Sequence, residues 1–356
     1  MRQKASSVYQ WVMLVLLCAG LTGCATLGWY GQAARGQFEL LVKRKDIENL
    51  LDAPTLAPER RRKLTLVLEL RDFAADELAL PHGGSYGDYV ALEREAVVWN
   101  VVAAPEFDVA PKTWCYPVAG CVSYRGYFRR ESAHRHAERL ARRGWDVLVA
   151  PVPAYSTLGR FDDPVTSPML AFDPVRLAGL LFHELAHQRV YVAGDTRFNE
   201  AYATAVERAG VRRWLTRRGE QQRLADWERR RRTAAAFTEL LLRTRRELEA
   251  LYRRDLAPAR MREAKGAAFA RLQQRYRRFR ETHDTGRFDR WMARDLNNAH
   301  LALTATYAAG TDAFAALLAE YGGDFARFHD AAERLAAADR SVRAEFLNRC
   351  RTRACP

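Results

Sequence analysis

The sequence predicts an α+β fold, mostly helical and divided into two lobes. Three observations predict it. After Trp214, apolar residues recur at helical spacing with few interruptions. From 89 to 150 the pattern changes to short apolar runs separated by turn residues, which is the signature of strands. A chain of 356 residues can also bury a sizeable core, more readily in two lobes than in one. These divide the chain into an N-terminal region at 24–215, a helical C-terminal lobe at 216–346 and a tail at 347–356.

The N-terminus reads as an export signal. Arg2 and Lys4 precede an apolar run from Trp11 to Leu21, too short to span a membrane. Leu21-Thr22-Gly23-Cys24 then looks like a bacterial lipobox, which makes residues 1–23 a signal peptide and Cys24 a lipidation site. Several acyl chains there would anchor the chain stably, whereas one is marginal. Ala25, in place of aspartate, resembles the sorting pattern of outer-membrane lipoproteins, so the expected location is the bacterial outer membrane, facing the periplasm. With Cys18 removed and Cys24 acylated, the remaining cysteines form two close pairs, Cys115 with Cys121 and Cys350 with Cys355. Such pairs suit short disulfide loops in an oxidising compartment, with four free buried thiols as the alternative, since spacing does not establish connectivity. The formal net charge of +14 suits anionic lipid headgroups or nucleic acid, and the export signal excludes nucleic acid as a partner. Arginine runs such as 229–232 read as solvated helix faces.

The elements follow in order. Gln37 to Leu51 carries Phe38, Leu41, Val42 and Leu50 at helical spacing and ends before Pro54, and a second helix runs from Arg60 to Leu78. Ala96 to Val102 and Asp146 to Ala150 read as strands of a small mixed sheet, with a helix from Glu131 to Arg143 between them ended by Gly144. Beyond the sheet, the apolar run from Val175 leads into a buried helix, and Gly194-Asp195 opens the next. Three long helical patterns cover 220–254, 259–282 and 288–307, and shorter helices continue to Phe346.

The chemistry concentrates in His183-Glu184-Leu185-Ala186-His187, an H-E-x-x-H stretch. One helical turn separates the two histidines, so both imidazoles can hold one divalent ion, with Glu184 rotated by about 100° beside them. Catalytic zinc takes a third protein ligand and keeps a position for water, whose pKa falls to about 7. Glu184 is the candidate general base. On the next helix Glu200 and Glu207 lie seven residues apart and share a face, so either can complete the set. A metzincin pattern is excluded, because Val190 and Ala193 stand where glycine and histidine would be needed.

The H-E-x-x-H stretch together with Asn199-Glu200-Ala201 resembles the gluzincin metallopeptidases. The chain is more closely similar to a bacterial family of predicted zinc aminopeptidases through Gly120 to Phe128, Ala154 to Gly159, Gly194-Asp195-Thr196 and Asn297-Asn298. The resemblance implies a two-lobed metallopeptidase binding one Zn²⁺ through His183, His187 and Glu200, with a peptide as substrate. It also implies a substrate-binding edge strand at 152–158, which makes Tyr155 and Ser156 cleft candidates. Aminopeptidase action needs an acidic group for the substrate's ammonium, and Asp162 or Asp163 can supply it or cap a turn. Asn298, His300 and Tyr307 of the helical lobe are candidates for stabilising the oxyanion. The alternatives within reach of the sequence are an envelope endopeptidase and a non-catalytic metal-binding scaffold.

Overall fold

The computed structural model describes residues 28–352 apart from 82, 117–119, 155–156, 158–160, 303 and 305–309. Helix α1 spans 28–42. It does not continue to Leu51: the chain breaks into strand β1 (Lys45–Asp46) and restarts as α2 (Ile47–Asp52), because the Asp46 carboxylate accepts from the Asn49 N–H and caps a new helix. Pro58 then opens α3 (Pro58–Leu78), whose buried Leu64, Val67, Leu70, Ala74 and Leu78 follow the helical repeat.

The strand region is three small sheets rather than one. β2 (Asp88–Val90) pairs antiparallel with β1 and parallel with β8 (Val165–Thr166). β3 (Val98–Pro105) is the centre of an antiparallel sheet between β6 (Arg125–Tyr127) and β7 (Trp145–Val152). Both faces of β3 are covered. Trp99, Val101 and Ala103 meet α4 (Arg130–Ala141), while Val102 and Ala104 meet the short α11 (Asn298–Ala302). That explains its continuous apolar run. β4 (Trp114–Tyr116) and β5 (Gly120–Val122) form a hairpin cross-linked by the Cys115–Cys121 disulfide, as the spacing allows. Cys350 is disulfide-bonded as well, and Cys355 lies outside the described residues.

After the one-turn α5 (Ser167–Leu170), the central pair is α6 (Pro174–Arg189) and α7 (Thr196–Arg217). Asp173 caps α6 by accepting from Val175 and Arg176 N–H, and Asp195 caps α7 by accepting from Phe198 N–H. The two helices approach closely through glycine. A Cβ on Gly210 would lie 2.7 Å from Leu78 Cδ1 and 2.8 Å from the Phe182 ring, and one on Gly179 would lie 3.3 Å from Glu207 Oε1. Around this pair lies the main core, which takes in Leu64 to Leu78 of α3 and Phe314, Leu317, Phe328 and Leu347 from the chain's far end.

α8 (Gln221–Tyr252) and α9 (Pro258–His283) form a long hairpin with its own core around Phe237, Leu241, Leu272 and Tyr276. The helix expected at 288–307 is broken. α10 (Asp289–Met292) stops, and Asn297 then accepts from Ala299 N–H through its side chain and starts α11, as an asparagine with poor helix propensity can. α12 (Thr311–Glu320), α13 (Phe325–Ala337) and α14 (Arg340–Thr352) return to the main core, so residues beyond 310 pack with α6 and α7 rather than with the hairpin.

Candidate metal centre

α6 buries Leu181, Phe182, Leu185 and Ala186 against the core and turns His183, Glu184 and His187 toward a cavity of about 840 Å³. α7 carries Glu200 to the same cavity from across the helix pair. The ligand-bearing atoms of His183, His187 and Glu200 lie within 4.8 Å of one another, an arrangement that could hold a metal ion. The two Nε2 atoms are 3.2 Å apart, and Glu200 places its oxygens 3.3 Å from His183 Nε2 and 3.8 Å from His187 Nε2. Glu207, two turns further along α7, reaches the opposite nitrogen: its Oε2 is 3.2 Å from His183 Nδ1. The two glutamates therefore hold different sides of one imidazole. His187 Nδ1 is buried without a hydrogen-bond partner among the described residues.

Charge in this cluster is strongly coupled. Burial works against a protonated His183, but hydrogen bonds to Glu200 and Glu207 and the negative charge of Glu184 outweigh it and hold its pKa well above the usual histidine value. Burial and the neighbouring His183 charge bring His187 down to about 4. Glu184 is pushed up to about 7, mainly by burial, with His183 opposing and the carboxylates of Glu200, Asp163 and Glu207 adding. For Glu200, burial acts upward, but the hydrogen bond from His183 and the two histidine charges prevail and lower it.

The rest of the cavity is largely aromatic and comes from elements remote in sequence. Trp29 and Gln37 of α1, Tyr116 of β4, Phe128, and Phe172 form part of its wall. α1 is fixed there by Trp29 Nε1 donating to Gly126 O at 2.8 Å and Gln32 Oε1 accepting from Phe128 N–H at 3.0 Å. Gly36 makes this possible, since a Cβ there would sit 2.1 Å from the Phe128 ring. Tyr124 and Tyr191 also line the cavity beside His183, His187 and Glu200. Burial, reinforced by the Glu200 charge, keeps both hydroxyls protonated, and the Tyr191 ring lies 6.2 Å from that of His187.

A family described as "putative aminopeptidase" matches residues 28–347. The chain belongs to this putative aminopeptidase family. No curated protein and no solved structure is detectably similar to it.

For this aminopeptidase-family chain, several sequence-predicted residues are placed away from the cavity. Asp163 is 2 % exposed and accepts from Thr157 N–H, its own N–H donates to Ser85 Oγ, and its carbonyl accepts from Tyr86 N–H. It organises a loop, as a turn aspartate does, and does not line the cavity. Asp162 accepts from Gly84 N–H. Asn298 is fully buried, donating to Pro105 O and Glu106 O and accepting from the Tyr252 hydroxyl, so it fastens α11 to β3 and α8. His300 hydrogen-bonds Asn297 and meets the Trp291 ring edge-on. Asn298 lies on the side of α11 turned to the sheet, whereas His300 lines a neighbouring cavity of about 1380 Å³ that shares Arg176 and Glu207 with the first. Tyr155, Ser156 and Tyr307, and the lipidation candidate Cys24, lie outside the described residues. The edge strand expected at 152–158 does not form among the described residues. β7 ends at Val152 and pairs only with β3 among the described residues, and Pro153, which has no N–H for a ladder, leads with Ala154 out of the sheet along the cavity wall. Sequence reasoning missed Glu207's contact with His183 Nδ1, and it missed Tyr191, although a tyrosine four residues beyond His187 was a readable signal.

Proposed function

We propose that this member of the aminopeptidase family is a zinc-dependent peptidase that removes amino-terminal residues, with His183, His187 and Glu200 holding the metal and Glu184 as general base. The convergence of two Nε2 atoms and one carboxylate beside a second carboxylate supports this reading best. Two imidazoles with one glutamate are a donor set suited to catalytic zinc. When bound, the metal acidifies water and polarises the substrate carbonyl.

The chain's own groups supply the rest. Glu184, whose pKa is pushed up to about 7 by its enclosed position, accepts the proton of the attacking water and delivers it to the leaving amine. Glu207 accepts from His183 Nδ1–H and so makes Nε2 the nitrogen that faces the ligand position. Tyr124 and Tyr191 supply hydroxyl donors to charge developing on the carbonyl oxygen. The free edge of β7 offers backbone groups to an extended peptide. Among the described residues, the carboxylates lining the cavity are Glu184, Glu200 and Glu207. Glu207, with its side chain 36 % exposed, is therefore the group an amino-terminal ammonium meets. The same proposal includes anchoring by lipid at Cys24 in the outer membrane, facing the periplasm. The Cys115–Cys121 disulfide supports an oxidising location.

The test is to measure bound metal and peptide hydrolysis for the full chain and for Glu184→Gln, using peptides with free and with blocked amino termini. Stoichiometric zinc in both proteins, with cleavage of free-terminus peptides by the unsubstituted chain alone, is expected. Cleavage of blocked peptides at equal rates would make it an endopeptidase, and bound zinc without turnover of any peptide would leave a scaffold.

A further inference from the structure

Helix α1 has two working faces. At 100° per residue, Trp29, Ala33, Gly36, Gln37 and Leu40 fall on one side, which packs on Phe128 or lines the cavity. Tyr30, Ala34, Phe38, Leu41 and Val42 fall on an arc of roughly 120° on the other. That arc should be polar if it faced only water. Instead Phe38 and Val42 are each 66 % exposed, Tyr30 41 % and Leu41 37 %. Elsewhere among the described residues, the large apolar side chains exposed to this degree are Phe161 and Val342. A concentration of this kind on one helix marks an interaction surface.

The charges beside the stripe indicate its partner. Arg35 lies beside Phe38 and Val42 on the helix, one turn from the first and two from the second, and Lys45 follows the helix end; neither forms an ion pair with another described residue. Glu39, the acidic residue within 28–42, is occupied by Lys43 at 2.9 Å and Arg94 at 3.0 Å. Apolar side chains flanked by uncompensated basic ones suit the boundary between acyl chains and anionic headgroups. No helix among the described residues is long and apolar enough to cross a membrane. The described part of the helix also begins at residue 28, four positions after Cys24.

We propose that α1 seats its Phe38–Leu41–Val42 face in an anionic lipid surface, so that one helix is both the membrane contact and a wall of the catalytic cavity. Tyr30 joins the two, since it belongs to the exposed arc and also lines the cavity. Exposed Phe161 lines the cavity as well. The cavity mouth therefore opens at the bilayer surface, where peptides that partition into headgroups would be presented to it. Acyl chains on Cys24 alone would leave the molecule free to rotate about that one point; the helix face fixes its orientation.

The experiment places an indole on the stripe. The full chain carrying Phe38→Trp is mixed with vesicles of anionic phosphatidylglycerol or zwitterionic phosphatidylcholine whose acyl chains are brominated, and emission is compared with that of the unsubstituted chain and of Val342→Trp. The expected result is bromine-dependent quenching of the Phe38→Trp indole alone, at a depth of about 5–10 Å below the headgroup boundary. It should be stronger on anionic vesicles, and Arg35→Glu with Lys45→Glu should remove that preference. Equal quenching at Phe38→Trp and Val342→Trp, or none at either, overturns the proposal. Shielding that ignores bromine and grows with protein concentration, with a doubled mass in sedimentation, would make the occupant a second copy and overturn it too. None of these readings depends on turnover.

Discussion

Glu200 and Glu207 are both within reach of His183, and substitution separates what each does. Glu200 faces Nε2 of both histidines, whereas Glu207 Oε2 lies 3.2 Å from His183 Nδ1, on the far side of the ring. Losing a carboxylate that orients a ligating histidine typically costs about 10–100-fold in metal affinity, or about 1.4–2.8 kcal/mol. Glu207 is 36 % exposed against 16 % for Glu200, so water can replace part of its contact. Glu207→Gln, whose amide oxygen still accepts from Nδ1–H, should lower affinity about tenfold, and Glu207→Ala nearer about a hundredfold. Glu200→Gln removes a donor of the proposed metal-binding set and should exceed either by at least about another tenfold. The assay is competition for zinc against a chromophoric chelator, which reads affinity without requiring catalysis, with melting curves of the metal-free proteins as a folding control. If Glu207→Ala weakens zinc as much as Glu200→Gln does, or Glu207→Ala has no effect, the assignment of inner and outer carboxylates is wrong.

Three further outcomes follow from the packing. Gly210→Ala drives a methyl group to 2.7 Å from Leu78 and 2.8 Å from Phe182, behind α6. Overpacking costs about 1–3 kcal/mol and alanine's helix propensity returns up to about 1, so the urea midpoint should fall, and a rise would contradict the close approach. Cys115→Ser with Cys121→Ser opens a short loop worth about 2 kcal/mol and frees the hairpin that holds Tyr116 at the cavity. Lower melting temperature and a higher KM are expected, and an unchanged KM would detach the hairpin from substrate binding. His329 is fully buried, paired with the Tyr202 hydroxyl at 2.8 Å and with Leu78 O at 2.8 Å, and burial brings its pKa to about 4. Because its folded value lies below the unfolded value of about 6.5, its contribution is complete above pH 6.5 and declines as pH falls toward 4, by about 2 kcal/mol at pH 5. Stability of the unsubstituted chain should therefore drop more steeply between pH 7 and 5 than that of His329→Gln, and parallel slopes would refute this.

The helices that carry His183, His187 and Glu200 were readable because their signals are local. The apolar run from Val175 and the capping Asp195 mark helices that the backbone confirms, and a four-residue histidine spacing has one outcome on a helix. Glu200 and Glu207 were correctly put on one face but not told apart, since which nitrogen each meets depends on how α6 crosses α7. That crossing is set by Gly179 and Gly210, whose meaning lies in contacts distant in sequence. The two mistaken helices failed for one reason: Asp46 and Asn297 offer a side-chain acceptor to nearby N–H groups and restart the helix, while the apolar spacing runs on across them. Tyr124, Asp163 and Asn298 show the limit of polar residues as signals. Each is polar and largely enclosed, but one lines the cavity and two hold loops and helices together, a difference that only the fold decides.

The proposed metal centre also depends on chain far from the motif. Asp195 caps the helix that carries Glu200, and its second carboxylate oxygen accepts from Arg343 Nε of α14 at 2.8 Å, in a pair whose side chains are 10 % and 13 % exposed. Phe198 and Tyr202, on either side of Glu200 in the same helix, pack edge-on against Phe314 of α12. The C-terminal helices thus fix both the start and the buried face of α7, while α3 and α6 fix its other side through Leu78 and Phe182. A ligand position held from both ends of the sequence forms only when the whole main core has closed. Assembly of the His183, His187 and Glu200 group should accordingly be a late event in folding, and metal should stabilise the complete core rather than the α6–α7 pair alone.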